Sequence, residues 1–394
     1  MAELDTSEVR YSLTVKEKYH NTLDIEGFSH MMKDPSYCYK FYWLEAIVQL
    51  ISKGVQDTTF DAVINEMICN AWYSVREFHI HLSGVQADGQ VRDGLERAVI
   101  KLTELSSLPA NASSIEIGNA IKEYDAELKS SKEQLTKMGP YRALAGFFLK
   151  DDSNVDWNSV RRMTAYIERV NKDVVLLPYT LGESSKLKKE IHFQPAWMEM
   201  IQDNTVSILG WIQYEKVKWL QNNNPEVPGL VYKLAPMDEK MRKLNNVRKL
   251  WEGVLTLREV KDVFTGKSVV QKKYDVDHFI PWSFVMNDEL WNLMPMDSSL
   301  NSSKSNRLPK WDPFFDRFAD NQYLLYGFIN ERAEIHKLFE SCYRDNLHSI
   351  WAGQELYRPG NSKEGFYGIL EKNMRPIYDS ARRQGYEIWN LCEN

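Results

Sequence analysis

Bulky apolar residues recur at three- and four-residue steps along much of the chain, the spacing that gathers side chains on one face of a helix. Between positions 35 and 50 they are Tyr39, Tyr42, Trp43, Ala46, Ile47 and Leu50, and between 59 and 73 they are Phe60, Val63, Ile64, Met67, Ile68, Ala71 and Trp72. Both segments are expected to be buried helices whose aromatic stripes are core. The proline and small polar residues of 106–114 predict a loop, and 114–137, 140–150 and 157–172 predict further amphipathic helices. Segment 182–190 is charged enough to be expected as solvated surface. The prolines, glycine and asparagines of 221–236 interrupt any long period and predict a domain boundary near 225–236. Beyond it, Met241, Leu244, Val247, Trp251 and Val254 form an apolar face beside Lys240, Arg242, Lys243, Arg248 and Lys249, a basic amphipathic helix. Alternation through Tyr274 and Val276, followed by Phe279, Ile280 and Pro281, predicts a short strand that ends just after Asp277 and His278. Asp297, followed by two serines, is an N-cap signal for a short helix that holds Leu300, Asn301 and Lys304 and stops before Pro309. Tyr323, Leu324, Tyr326, Phe328, Ile335, Leu338 and Phe339 predict at least one more buried helix.

The 394 residues suffice for two or three cooperating units. The four cysteines, Cys38, Cys69, Cys342 and Cys392, form no C-x-x-C pair, so spacing supports neither a disulfide framework nor a zinc ribbon. A net charge of −6 argues against a general polycation, yet residues 231–310 hold 14 Lys and Arg against 10 Asp and Glu, a local net of +4. No apolar run approaches the roughly 18–20 residues that span a bilayer, and the acidic start lacks the features of a targeting peptide. A cytoplasmic protein without membrane contact is expected. His79 and His81 alternate but have no third metal ligand, no repeat is evident, and no Walker loop, nucleophile elbow or dinucleotide fingerprint is present.

Candidate chemistry is concentrated in 274–309. Phosphodiester hydrolysis needs an activated water, a cation to neutralise charge on the phosphorus oxygens, and help for the departing 3′ oxygen. His278, with an ordinary pKa of about 6.5, suits the general base. Asp277 and Asn301 offer hard oxygen donors of the kind Mg²⁺ takes. Lys304 and Arg307, with Lys272 and Lys273 ahead of the strand, are candidates to hold the nucleic-acid backbone.

These residues resemble the ββα-metal motif of HNH endonucleases. Asp277 and His278 match its acidic residue and histidine, Asn292 its central asparagine, and Asn301 its last metal-binding position. The likeness is greatest to the HNH domain of the RNA-guided type II CRISPR effector nuclease, which aligns without gaps from Asp275 to Pro309 through Asp275, Val276, Asp277, His278, Pro281, Ser283, Phe284, Asp288, Asn292, Asn301, Lys304, Ser305 and Pro309. It implies that His278 is the base, that Asp277 and Asn301 hold one Mg²⁺, for which Mn²⁺ could substitute, and that Asn292 pins the loop. It also implies a DNA substrate and one strand nicked per site. No guide RNA is inferred.

Many relatives staple the motif with zinc, but here Val263-Phe264-Thr265-Gly266 stands where the first C-x-x-C pair would, so packing must replace the metal. Asp275 is expected on the strand face opposite Asp277 and is left out of the metal set. The surroundings, including YKFYWLEAI at 39–47, resemble bacterial HNH proteins of restriction or phage defence, which implies companion defence proteins bound through 1–230.

The expected fold is therefore mainly α: a helical region 1–230 for targeting or partner binding, a small ββα-metal (HNH) nuclease domain at 231–319, and a helical segment 320–394 packed on it. The alternatives are a non-catalytic or partner-gated scaffold and an RNase working through the same site, since discrimination of the 2′-OH lies outside the motif.

Overall fold

Helix periods dominate the computed structural model, which describes residues 13–33, 35, 37–84, 90–137, 139–148, 156, 159–173, 177–235, 242–271 and 273–391. With 63% helix and 7% strand, the fold is mainly α. The chain divides into two compact units, Met1–Pro225 and Glu226–Asn394. Among the described residues, no helix is long and apolar enough to cross a membrane.

The first unit is assembled around α2 (Tyr39–Ser52), which follows the short α1 (Ile25–His30) and is buried on nearly every side. Its one buried carboxylate, Glu45, lies 2.8 Å from the Lys216 ammonium, which also stands 4.4 Å over the Tyr42 ring. Strand β1 (Asp57–Thr59) leads into α3 (Phe60–Phe78), where the Thr59 hydroxyl accepts from Ala62 N and satisfies a helix-end donor. After α4 (Gly94–Leu105) comes the expected loop, closed by a capping box between Ser113 and Glu116 at the start of α5 (Ser114–Glu123). Segment 114–137 is not one helix, because it breaks at Tyr124 and resumes as α6 (Asp125–Leu135). The short α7 (Gly139–Leu144) and α8 (Val160–Asp173) follow. Strands β2 (Tyr179–Leu181) and β3 (Glu190–Phe193) complete an antiparallel sheet in the order β1-β3-β2, so the charged segment 182–190 is the connection between paired strands up to residue 189 and enters β3 at Glu190. Tyr179 accepts from Trp43 Nε1 at 3.1 Å and donates to the Pro140 carbonyl at 2.8 Å, fastening the sheet to the helices. Helices α9 (Pro195–Asp203) and α10 (Thr205–Asn223) close the unit, and α10 supplies Lys216.

The second unit begins with a short 3₁₀ turn at Leu230–Lys233. The basic amphipathic helix is α11 (Asn245–Leu257), which buries Val247, Trp251 and Val254 as its spacing predicts, and Leu250 besides; it starts later than expected, so Arg242, Lys243 and Leu244 lie ahead of it, and Lys240 and Met241 lie outside the described residues. Strand β4 (Tyr274–His278) pairs antiparallel with β5 (Leu293–Asp297), with Tyr274 opposite Asp297 and His278 opposite Leu293. Between them stands α12 (Trp282–Val285), and after β5 comes α13 (Ser298–Lys304), capped by the Asp297 carboxylate on the N–H groups of Ser299 and Leu300. Then follow α14 (Trp311–Glu331), α15 (Ala333–Asn346) and α16 (Lys363–Arg383). The expected division between 319 and 320 falls inside α14. Its Phe318 ring lies 4.8 Å from Phe279, and its buried Gln322 donates to the Leu293 carbonyl at 2.7 Å. Cutting there would remove the floor beneath both strands.

Candidate active site

Strand β4 alternates: Tyr274, Val276 and His278 point into the core, while Asp275 and Asp277 point outward toward α13. The period of a strand is two residues, so Asp275 and Asp277 share a face. That corrects the expectation for Asp275. Its Oδ2 accepts from Asn301 Nδ2 at 3.3 Å, and Asp277 Oδ2 accepts from Lys304 Nζ at 2.8 Å. Asn301 and Lys304 are three residues apart on α13 and therefore neighbours on one side of it.

Two carboxylates and a carboxamide thus lie on the side of β4 that faces α13, Asp275 paired with Asn301 and Asp277 with Lys304. Among the described residues no group of three His, Cys, Asp or Glu side chains could hold a metal, so any cation here needs the amide oxygen of Asn301 beside the two aspartates. All of these are hard donors, and the set fits a small divalent cation such as Mg²⁺.

His278 lies on the other face of the strand and is 1% exposed. Its Nε2 is 3.2 Å from the Asn287 carbonyl oxygen and 3.1 Å from Asp288 Oδ1. Both are acceptors, so the ring suits them only with its proton on Nε2, and Nδ1 is then the basic nitrogen. Burial pulls the imidazole below its ordinary pKa, against the opposing pull of the Asp288 hydrogen bond. Burial alone would raise Asp288, but its bonds from His278 and the Lys243 N–H and the nearby Arg242 charge hold it below the usual carboxylate range.

Asn292 is fully buried, and its amide is spent in both directions on Ile280: Oδ1 accepts from Ile280 N and Nδ2 donates to Ile280 O, each at 2.8 Å. It ties the turn after β4 to the start of β5 and has no group left for a substrate. Lys304 is also fully buried, its ammonium donating to Asp277 Oδ2 and, at 2.7 Å, to the His278 carbonyl. That position braces strand against helix and does not present the charge to a phosphate. The Arg307 guanidinium donates to the carbonyls of Lys304 and Ser303 and caps the end of α13. Lys273 is exposed beside a cleft of about 410 Å³ that Lys267, Asp297 and Ser299 also line. Lys272 lies outside the described residues.

Two further contributors are not among the sequence candidates. Arg248 of α11 donates to the Tyr274 carbonyl at 3.0 Å and brings its guanidinium to 3.9 Å from Asp275, at 40% exposure, so it is a cation open to solvent at the edge of the donor set. The basic face of α11 is the signal that could have pointed to it. Asp262 is 4% exposed, and its Oδ1 accepts from Phe264 N, Thr265 N and the Thr265 hydroxyl while Oδ2 accepts from Asp297 N. It closes the 262–267 turn and binds it to the end of β5, so a carboxylate, together with the buried Val263 and Phe264, secures the stretch that lacks a C-x-x-C pair.

No curated protein and no solved structure matches the chain. The family model described as HNH endonuclease matches residues 262–310, a span that opens with Asp262 and takes in both strands and α13. The likeness to the RNA-guided effector rests on the motif positions alone. The chain carries an HNH-family domain, whose kind implies a nucleic-acid substrate.

Proposed function

We propose that the chain is a metal-dependent endonuclease that hydrolyses DNA phosphodiester bonds, one strand per site. The observation that carries this reading is the placement of Asp275, Asp277 and Asn301 on one side of β4 and of His278, whose Nε2 faces two acceptors, at the end of the same strand. Asp275, Asp277 and Asn301 would hold a divalent cation such as Mg²⁺, which would supply charge neutralisation at the phosphate oxygens. His278 takes the proton of the attacking water at Nδ1, the water oxygen bonds to phosphorus, and the bond to the 3′ oxygen breaks, that oxygen leaving with the bonding pair and taking a proton from solvent. Lys304 holds Asp277, Asn292 holds the turn that follows His278, and Arg248 offers a positive charge to the phosphate backbone. The setting we propose is bacterial restriction or phage defence in the cytoplasm, with companion proteins bound by the first unit; what supports it is the resemblance of segment 39–47 and its surroundings.

The test is incubation of the purified chain with supercoiled plasmid, linear duplex, single-stranded DNA and RNA, with Mg²⁺ or EDTA, beside His278→Ala. Metal-dependent nicking should fall by about 10²–10⁴ in the variant, the usual share of a general base. Undiminished cleavage by the variant refutes the assignment, and cleavage of RNA alone replaces the substrate.

The burial of His278 favours a second reading, in which the same site is opened by a partner before water reaches the ring. Wild-type protein that binds Mg²⁺ yet cleaves nothing until a partner is added would select it.

A further inference from the structure

Asp288 has more partners than a loop carboxylate needs. It is 6% exposed, with Oδ1 3.1 Å from both His278 Nε2 and Arg242 Nε, and with Oδ2 accepting from Lys243 N at 2.6 Å. Its own carbonyl accepts from Asn346 Nδ2 at 2.8 Å, and the same amide group donates to the Lys243 carbonyl at 2.8 Å. The next residue, Glu289, accepts the N–H groups of His348 and Ser349 at 2.9 and 3.0 Å. Two ends of the second unit, the approach to α11 and the exit of α15, therefore fix one carboxylate against one imidazole.

We propose that Asp288 is a positioning residue that acts through His278. It selects the ring form with the proton on Nε2, aims Nδ1, and offsets the positive charge that arises when Nδ1 takes a proton. The inference deepens the nuclease reading and rests on it for the word base. The Asn287 carbonyl also accepts from Nε2, but it is neutral. The Asp288 carboxylate, hydrogen-bonded to the ring, answers the charge that develops directly, with Asp277 adding to it through space. Arg242 and the Lys243 N–H keep Asp288 ionised and oriented, and the Arg242 guanidinium is itself seated 4.9 Å over the Trp282 ring.

Asp288→Asn tests this. Asparagine has one oxygen for three donors, Lys243 N–H, Arg242 Nε and His278 Nε2; with that oxygen on Lys243 N–H its NH₂ faces Nε2, the neutral Asn287 carbonyl is the acceptor that remains, and the share of the ring with its proton on Nδ1 rises at the expense of the base. The full chain is labelled with ¹⁵N-histidine, the His278 signals are assigned by their disappearance in His278→Gln, and the ring form is read from the two nitrogen shifts. Plasmid nicking is measured in parallel. The expected result is a protonated Nε2 in the wild type and a shift toward protonated Nδ1 in Asp288→Asn. With it, kcat should fall by about 100-fold or more while KM stays within about threefold, as loss of general-base help dictates.

Wild-type turnover in Asp288→Asn overturns the proposal, and so does a loss of rate with unchanged nitrogen shifts, which would mark a merely structural carboxylate. If Asp288→Asn does not fold, the wild-type spectrum decides: a proton on Nδ1 overturns the proposal, and one on Nε2 sustains it, with Arg242→Ala then expected to loosen the same signal. A wild-type chain that cleaves no substrate removes the nuclease reading, while the nitrogen shifts still decide what Asp288 does to the ring.

Discussion

Asp277 and Asp275 sit two positions apart on one strand but carry different burdens. Asp277 neutralises a fully buried ammonium, that of Lys304, whereas Asp275 is 40% exposed and faces Asn301 and Arg248. Removing either carboxylate should weaken Mg²⁺ binding. Only Asp277→Ala should also destabilise the fold, by about 3–5 kcal/mol, because a buried charge is left without its partner; Asp275→Ala should cost under about 1 kcal/mol. Calorimetric titration with Mg²⁺ and urea denaturation separate the two effects, and equal metal binding in wild type and both variants would sink the donor assignment.

A second buried lysine makes a pH prediction. Burial pushes the Lys233 ammonium, which donates to the Phe284 carbonyl at 2.6 Å, down to about 7 from 10.5. Between those values the unfolded chain binds more protons than the folded one, so the stability contributed by this group rises as pH goes from about 7 to about 10.5 and is lowest below 7. Melting midpoints of the wild type and Lys233→Met between pH 6 and 10 check this. The rise should flatten in the variant, and parallel curves would count against it.

At the scale of elements, what could be read from the chain was what repeats locally. Residues 39–50 and 60–72 carry enough apolar positions at helix spacing to define α2 and α3, and Asp297 marks the start of α13 by itself. The β1-β3-β2 sheet could not be read, because its strands are three or four residues long and β1 lies more than a hundred positions from its partner β3. Segment 182–190 looks like plain surface until Glu190 pairs with Thr59. Within the site, the positions of Asp277, His278 and Asn301 followed from strand, turn and cap signals, while Arg248, Asp262 and Asp288 act through contacts that only the tertiary fold creates.

Asp262 gives the sharpest test at this scale. Asp262→Ala strips acceptors from the buried Phe264 N–H and from the N–H groups of Thr265 and Asp297. Since each buried donor left unsatisfied costs about 1–3 kcal/mol, the variant should lose several kcal/mol in urea denaturation. Asp262→Asn, which keeps one oxygen and so part of the acceptor set, should lose less. If the alanine variant is as stable as the wild type, the turn does not depend on this carboxylate, and packing around Phe264 alone replaces the zinc of stapled relatives.

For the whole molecule, the question is whether the first unit is needed by the second. The boundary we propose lies in 221–236. Asn224 is buried and donates to the His81 carbonyl at 2.9 Å, which ties the end of α10 into the first unit, while Lys233 is buried in the second. Pro225, Glu226 and Pro228 between them are exposed. Limited proteolysis should therefore cut first within 221–236 and leave two resistant fragments; resistance there with early cuts elsewhere would reject the boundary. The fragment 226–394 holds every residue assigned to the site, so it should bind Mg²⁺ as the full chain does. Its activity then separates the two readings of the buried His278. Nicking by the fragment at the rate of the full chain would make the first unit a targeting or partner-binding module with no hold on chemistry. Nicking by the fragment when the full chain is silent would mean that the first unit restrains the second, and the partner to seek is one that relieves it.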